Sequence, residues 1–564
     1  MSFTLNEYKR ILDKITADGI KDLGAVRDIL GLVTGMKDDG YLVLGQPDEI
    51  LWATKRTGWA KQMALYLAKM TGELECVDVY WELMKLEAQL GRVDSYFLFL
   101  EKNRDADKRF YEPRRKQFLE FGIVQGMQDL VDDRIDLLSV SMPPGTGKST
   151  AGIFFLSGCM GWWPELPNLA SAHSGTLTRS FFDGVSQILN DPVEYAWHEV
   201  FPAVKFNPRS DVNSKEQTIN VGKPNRFKSL TCRAINASLT GATRCEKILY
   251  ADDLCSGIEE ALSKERMDKL WQVYNTDLKT RKKNFCKEIH IATRWTVHDP
   301  IGRLQREHEN DDRARFISVP ALNADGESNF VYEYGVGFST EYFKDMRNSM
   351  DDISFRCLFM NQPIEREGLL VNEEELRRYL TLPAGEPDAV WSVVDTKSKG
   401  TDYFFQPVFL QYGNDFYLDE CICDNGSNYE VQYSRSVDIL MRNKVQSCQF
   451  ESNAGGDRVA LEVKNRISEK GGYCNITQQY TTQNKETKII VYAPWWKERV
   501  LFKDRSLYKP KEDYGVMMSQ ILSYTVAGRN THDDCVDGLA TFAKWRTVPE
   551  NRPTAIIGSP FARW

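Results

Sequence analysis

The chain lacks the marks of several protein classes. No apolar run approaches the roughly 18 residues that a membrane-spanning helix requires, and Met1 to Lys9 is polar with a helical pattern, so no secretory signal is expected there. Twelve cysteines occur without one Cys-x-x-Cys pair, and the six histidines show no spacing suited to zinc beside them. Several cysteines (Cys159, Cys286, Cys357) sit inside apolar runs, which reads as reduced, structural thiols of a cytosolic protein. Basic charge is not in excess either: 72 Lys+Arg against 80 Asp+Glu leave a formal net charge of −8. That balance excludes a protein that coats nucleic acid over its whole surface and leaves room only for local basic grooves. What remains, at 42% hydrophobic and 27% charged over 564 residues, is a soluble globular profile long enough for about three domains.

The most informative stretch is Leu137-Leu-Ser-Val-Ser141 followed by Met142-Pro-Pro-Gly-Thr-Gly-Lys-Ser149-Thr150, an apolar strand running into a glycine-containing turn that ends in Gly-Lys-Ser. Such a turn is a phosphate-binding loop: glycines let backbone N–H groups close around phosphate oxygens, a Lys reaches the β/γ-phosphates, and a hydroxyl ligates Mg²⁺. Gly145, Thr146, Gly147, Lys148, Ser149 and Thr150 are the candidate nucleotide-binding residues, with Ser149 on the metal. Met142 stands where the usual pattern has its first glycine. A Pro-Gly turn before a buried helix is the bland alternative.

Before the loop, residues 1–105 read as a helical region, opened by the capping box Thr4-x-x-Glu7 and continued by helical periodicity over Ile50 to Met70 and Glu75 to Leu90. From 106 to 365 strands and helices alternate, which implies a parallel sheet covered on both faces. Tyr111-Glu-Pro-Arg-Arg-Lys-Gln117 offers an aromatic, a proline and Gln117 where adenine could be stacked and hydrogen-bonded; a plain helix start fits it equally. About a hundred residues past the loop, Lys247 to Asp253 is an apolar strand ending in two acids. Strand ends in parallel sheets face the ligand crevice, so Asp252 is placed to hold Mg²⁺ and Asp253 to orient the attacking water. Glu288 to Trp295 is a further strand whose polar end, Thr-Arg-Trp, can sense the γ-phosphate; Arg294 and Arg303 read equally as surface ion pairs.

Together these motifs resemble those of the large terminase subunit of tailed bacteriophages. The resemblance rests on the order of Met142 to Ser149, Leu239-Thr-Gly-Ala-Thr-Arg244 leading into Leu249 to Asp253, Ala292-Thr-Arg-Trp295 with Asp299-Pro-Ile-Gly-Arg303, and Asn361-Gln-Pro363, and it covers about residues 110–545. It implies an α/β chain: a P-loop ATPase domain of RecA-like, ASCE type over 106–365, a linker over 366–387, an RNase H-like nuclease domain over 388–548 and a tail over 549–564. It also implies a motor that uses ATP and Mg²⁺ to translocate double-stranded DNA into a procapsid. The implied partners are the small terminase subunit, the portal ring and further copies of the chain in a ring, in the host cytoplasm and away from membrane.

The second half bears on the resemblance separately. Ala389 to Val394 is a short strand ending at Asp395; a strand from near Asp402 to Leu410 turns at Tyr412-Gly-Asn-Asp415 into Phe416 to Cys423, a hairpin that sets Asp395 and Asp402 across its tip. Ser447 to Phe450 leads to Glu451, with a helix from near Asp457. Thr531-His-Asp-Asp-Cys-Val-Asp537 opens a helix with a buried stripe of Val536, Leu539, Ala540 and Ala543. Acids at a first strand, a later strand and a following helix are the RNase H-like arrangement, which holds paired Mg²⁺ or Mn²⁺ ions roughly 4 Å apart. Asp395, Glu451 and Asp534 are the catalytic acids by this reading, Asp537 a supporter, Asp533 a helix cap, and His532 a candidate donor to the scissile phosphate. Solvated acids at loop ends are the bland alternative.

Lys279-Thr-Arg-Lys-Lys283 and the Trp495-Trp-Lys-Glu-Arg499 to Lys511 region are candidates for DNA contact. Pro144 replaces the arginine some relatives carry in the loop, so a charge-stabilising arginine must come from elsewhere, with Arg244, Arg179 and Arg233 as candidates, in cis or from a neighbouring copy. Asp253 stands where Glu is more usual, and Asp395 is followed by Thr396-Lys397 in place of a Pro-Ala turn. A helicase-nuclease of DNA repair or defence, or a non-catalytic DNA-binding virion protein, are the rival functional classes.

Overall fold

The computed structural model describes residues 3–547 apart from 238–242, 262, 351, 364–369, 397–402, 427, 453–455, 482, 527–529 and 531. Asp402, most of the Leu239–Arg244 motif and the 549–564 tail therefore lie outside the described residues. The chain divides into two compact units, one of residues 1–350 and 354–364 and one of 351–353 and 365–564, where length suggests three.

The first unit opens with helices Leu5–Ala17, Leu23–Asp38, Pro47–Thr71, Leu74–Gln89 and Val93–Leu100. Both halves of the capping box form: Thr4 Oγ1 accepts from the Glu7 N–H, and Glu7 Oε2 accepts from the Thr4 N–H at 2.8 Å. Tyr8, Leu12, Val26, Ile29, Val33, Ala53 and Leu83 close a core of their own. Val93–Leu100, on the helical side of the expected boundary at residue 105, shares its core with the segment that follows. The short helix Val93–Leu100 is mostly apolar and buries all but Asp94 and Leu98, which stay part-exposed. The Tyr96 hydroxyl meets Ser157 Oγ at 2.7 Å, and the Trp162 indole donates to the Ala88 carbonyl at 2.8 Å, so this segment packs under the helix that follows the phosphate loop.

The sheet of this unit comprises β1 (Leu137–Ser141), β2 (Asn168–Ala172), β3 (Val212–Asn213), β4 (Thr218–Ile219), β5 (Leu230–Ala234), β6 (Ile248–Asp252), β7 (Lys287–Ala292) and β8 (Ala314–Ser318). Their order is β3-β4-β5-β2-β6-β7-β1-β8, with β5 through β8 of that row all parallel. β7 lies between the loop strand β1 and the acid-bearing strand β6, which is the ASCE arrangement. Every residue of β1 and β2 is buried, as a parallel sheet covered on both faces demands.

The second unit contains β9 (Arg377–Tyr379), β10 (Ala389–Val394), β11 (Phe404–Tyr412), β12 (Asp415–Asp424), β13 (Ser447–Glu451), β14 (Asn475–Gln479) and β15 (Val500–Lys503). The order is β14-β13-β10-β11-β12-β15-β9. β10, β11 and β12 run antiparallel in succession, while β13 and β14 extend the sheet parallel to β10, the RNase H-like topology. Part of the expected linker belongs to this sheet, because β9 pairs with β15 through Arg377–Tyr379. Helix Asp534–Thr547 lies on the sheet face, its Phe542 ring stacked on Phe409 at 3.8 Å, and Val536, Leu539, Ala540 and Ala543 are fully buried beneath it.

Candidate functional site

The phosphate loop leaves the C-terminal end of β1 and enters helix Lys148–Trp162. Gly145 at φ +77° and Gly147 at φ +104° take backbone conformations that a side chain disfavours. A Cβ on Gly147 would also stand 2.8 Å from the Phe110 ring and 3.2 Å from Arg114 Nε. The loop is braced from inside: the Thr146 hydroxyl donates to the Pro143 carbonyl at 2.8 Å, and the Tyr332 hydroxyl donates to the Thr146 carbonyl at 2.9 Å. Met142, in the place of the missing glycine, is fully buried and anchors the turn. Lys148 is only 7% exposed, and its charge lies close enough to act on Asp252.

Opposite stands Asp252 at the end of β6. Its carboxylate is hydrogen-bonded by the Ser149 hydroxyl, and the Tyr250 hydroxyl donates to it at 3.3 Å. Burial, then the neighbouring Asp253, pushes the Asp252 carboxyl up to about 6, against the opposing pull of Ser149 and Lys148. The arrangement has the polarity of a cation site: a hydroxyl and a carboxylate that repels its neighbour, both beside a lysine-bearing phosphate loop. Asp253 sits at φ +43°, a conformation uncommon outside glycine. Contacts from β7 and from His173 hold it there. The Thr293 N–H donates to Asp253 Oδ1 at 2.9 Å, and His173 Nδ1 donates to the Asp253 carbonyl at 2.8 Å. The end of β7 thus reads the second acid directly, through Thr293 and not through an arginine.

Arg294 and Asp299 are not a surface pair. Arg294 is 7% exposed and Asp299 3%, with Nε to Oδ2 at 3.1 Å, and Asp299 also caps helix Pro300–Glu307 by accepting from the Gly302 N–H at 2.7 Å. Arg303 pairs with Asp268 at 2.6 Å. Asn361 closes the unit by donating to the Ser141 carbonyl at 3.2 Å and the Val319 carbonyl at 2.7 Å, which ties the end of β1 to the segment after β8.

The residues expected at the adenine are engaged within the protein. Gln117 donates its amide to the Val331 carbonyl at 2.7 Å, one residue from the Tyr332 that holds the loop. Tyr111 is fully buried with its hydroxyl on Asp94 and its ring against those of Phe97 and Phe118, and it has no face to offer a base. Arg114 lies at the loop instead, its guanidinium 4.8 Å from the Phe110 ring and 4.9 Å from the Tyr332 ring, with Nε buried and without a hydrogen-bond partner. Of the three arginines expected to serve hydrolysis, Arg244 precedes β6 and therefore stands at the edge of the sheet opposite the loop, ion-paired with Glu246 at 2.7 Å. Arg179 is held by Asp183 and the Ser214 carbonyl, and Arg233 by Glu216. None of the three is brought to Lys148.

In the second unit, carboxylate oxygens of Asp395, Glu451 and Asp537 all lie within 4.8 Å of one another. Asp395 follows β10, Glu451 ends the parallel neighbour β13, and Asp537 projects from the first turn of helix Asp534–Thr547. The third acid is thus Asp537. Asp534 turns aside: its Oδ2 accepts from the Tyr403 N–H at 2.9 Å, so it fixes the start of β11. Asp533 precedes the helix and pairs with Lys485 at 2.8 Å. Burial and then repulsion from Asp537, Glu451 and Asp534 raise the Asp395 carboxyl far above the carboxylate range, against Lys485; its Oδ2 is buried with no hydrogen-bond partner. Such an orphaned oxygen in a crowd of acids fits a cation.

Two lysines escaped the sequence reading. Lys485 and Lys488 stand three residues apart in helix Lys485–Arg499, so they share a face that points into the acids. Lys488, 1% exposed, reaches Asp537 Oδ1 at 2.8 Å, Thr541 Oγ1 at 3.0 Å and Glu451 Oε2 at 3.8 Å. Lysines within the buried stripe of Ile489, Ile490 and Ala493 were the available signal. His532 packs edge-on to Tyr403 at 5.0 Å between ring centroids. The aromatics of the Trp495 region are interior: Trp496 is fully buried, and Trp495 lies 5.5 Å from Phe416, so stacking on bases is not their role. Lys497 is taken by Glu375 at 2.6 Å. The Lys279–Lys283 segment leads into β7, at the sheet edge away from the phosphate loop.

No protein-family model matches this chain, and no curated protein matches it. Solved structures are similar to it. Large terminase chains and a terminase nuclease domain are among these structures. The large terminase of a thermophilic bacteriophage, in complex with ADP, is 11% identical with a TM-score of 0.34, over 74% of this chain and 98% of its own. The HK97 bacteriophage large terminase is 11% identical with a TM-score of 0.36, over 80% and 99%. The Mn-soaked, inhibitor-bound nuclease domain of the human cytomegalovirus terminase is 11% identical with a TM-score of 0.26, over 32% and 96%.

Proposed function

We propose that this chain is the motor and DNA-cutting subunit of a viral genome-packaging machine, hydrolysing ATP to move double-stranded DNA into a procapsid and cutting concatemeric DNA. The observation that carries the reading is the pairing in one chain of a Gly-Lys-Ser loop facing Asp252 with a separate cluster of Asp395, Glu451 and Asp537. A phosphate loop alone would suit any nucleotide hydrolase, and an acid cluster alone any metal-dependent nuclease. Their succession along one chain is what a machine that both moves and cuts DNA requires.

At the first site the loop N–H groups and Lys148 bind the β- and γ-phosphates and hold the nucleotide in line for attack. Asp253, fixed by the Thr293 N–H, orients the attacking water and accepts its proton. A Mg²⁺ ion held by Ser149 and Asp252 would neutralise charge on the phosphates. At the second site Mg²⁺ or Mn²⁺ held by Asp395, Glu451 and Asp537 would supply Lewis-acid activation of water and of the scissile phosphate. Lys485 and Lys488 pair with Asp537, and Lys488 also approaches Glu451, so they offset part of the acids' charge. In use the chain works as a ring of copies docked on a portal, with a small subunit delivering DNA, in the host cytoplasm.

The test is ATP hydrolysis by the purified chain with and without duplex DNA. Lys148→Ala is expected to lower the rate by about 100-fold or more, the scale of removing one preorganised donor to transition-state charge. A Lys148→Ala variant hydrolysing ATP at the wild-type rate would refute the reading.

A further inference from the structure

Between the turn Lys279–Arg281 and β7 the chain reads Lys282-Lys283-Asn284-Phe285. Phe285 is 88% exposed and adopts φ +71°. A bulky side chain at positive φ is a conformational outlier, and a phenyl ring left in water returns nothing to the fold. Glycine would take the same backbone at no steric cost. Two unfavourable features thus meet at one residue, and strain of this kind collects at functional positions.

The surroundings are cationic. Lys283 is exposed, Lys279 stands over the Tyr274 ring at 5.9 Å, and Lys282 is tied to the buried Glu288. The Lys283 N–H donates to the Cys245 carbonyl at 2.9 Å, which sets this loop beside the start of β6 and next to Arg244, itself paired with Glu246. From here β6 and β7 run paired in parallel, Ile248 against Lys287 through Asp252 against Ile291. At their far ends lie Asp252 and Asp253, and the Thr293 N–H that holds Asp253. The loop is therefore joined to the hydrolytic acids by two hydrogen-bonded strands, about 17–20 Å of rigid backbone.

We propose that the Lys279–Phe285 loop is a contact for duplex DNA, with the exposed Lys283 on a backbone phosphate and Phe285 pressed into a groove, and that β6 and β7 transmit its engagement to Asp253. The charge of the loop selects a polyanion over an apolar protein partner. The inference rests on the proposed ATPase and deepens it by naming where its DNA is gripped.

The experiment compares the full chain with Phe285→Gly and Lys283→Ala. It measures binding of fluorescently labelled linear duplex DNA across a KCl series, ATPase with and without that DNA, melting temperature and oligomeric state. Phe285→Gly is expected to melt no lower than wild type, to keep the DNA-free ATPase, to bind DNA at least about fivefold more weakly and to lose DNA stimulation. Lys283→Ala is expected to reduce the slope of log affinity against log salt by about 0.9, one phosphate contact. A lower melting temperature with wild-type DNA affinity would make Phe285 structural, and an altered oligomeric state with wild-type affinity would make the loop a contact between copies; either overturns the proposal. Those results leave the ATPase reading standing, whereas a wild-type chain that neither hydrolyses ATP nor binds DNA removes both.

Discussion

Asp537 and Asp534 share the first turn of one helix, yet only Asp537 joins Asp395 and Glu451 within 4.8 Å. Asp537→Asn is expected to abolish metal-dependent DNA cleavage, whereas Asp534→Asn should leave cleavage measurable and lower the melting temperature, because it weakens the anchor on the Tyr403 N–H; an agarose cleavage assay in Mn²⁺ separates them. The cluster was legible as strand-end acids, but residues three apart on a helix face nearly the same way, and which of them reaches the cluster depends on backbone placement that periodicity does not carry. Asp252 gives a test by pH. Its carboxyl is raised to about 6 in the fold, so its stabilising contribution is complete at acidic pH, below the ordinary carboxyl value, and is lost as pH rises through about 6. Asp252→Asn removes that loss. In metal-free buffer at pH 8 the variant should be more stable than wild type by on the order of 3 kcal/mol, with a flatter pH profile by thermal melting, and it should not hydrolyse ATP.

At the scale of elements, helix Lys485–Arg499 is the part the sequence concealed. A pair of lysines three residues apart reads as a solvated face, and here it is the counter-charge, buried at Lys488 and part-exposed at Lys485, of an acid cluster on another helix and two strands. Removing one partner of a buried pair leaves the other uncompensated, typically at a cost of about 3–5 kcal/mol. Lys488→Met should therefore melt earlier than wild type without metal, and Mn²⁺ should raise its melting temperature by more than it raises that of wild type, which scanning calorimetry would show. The strands were easier to read. Ala389–Val394 and the hairpin from Phe404 to Asp424 follow from alternating apolar residues and the Gly-Asn turn. The basic, aromatic stretch at Trp495 misled because aromatic rings beside lysines look alike in a core and in a nucleic-acid groove.

Across the whole molecule the ordered motifs are local in sequence, whereas the packing that joins one part to the next is not. Val93–Leu100 shares the core of the first unit, and Arg377–Tyr379 joins the sheet of the second, since long-range strand pairing and shared cores leave little trace in local composition. Each candidate centre is built wholly from one compact unit, Lys148, Ser149, Asp252 and Asp253 in the first and Asp395, Glu451 and Asp537 in the second. The two activities should then be separable by substitution. The most direct measurement is cleavage of duplex DNA by wild type, Lys148→Ala and Asp395→Ala, each with Mn²⁺ and with chelator, alongside ATP hydrolysis by the same three preparations. The account predicts metal-dependent cleavage by wild type and Lys148→Ala and none by Asp395→Ala, with ATPase kept by Asp395→Ala and lost by Lys148→Ala. Cleavage by Asp395→Ala at the wild-type rate, or ATP hydrolysis undiminished in Lys148→Ala, would contradict it.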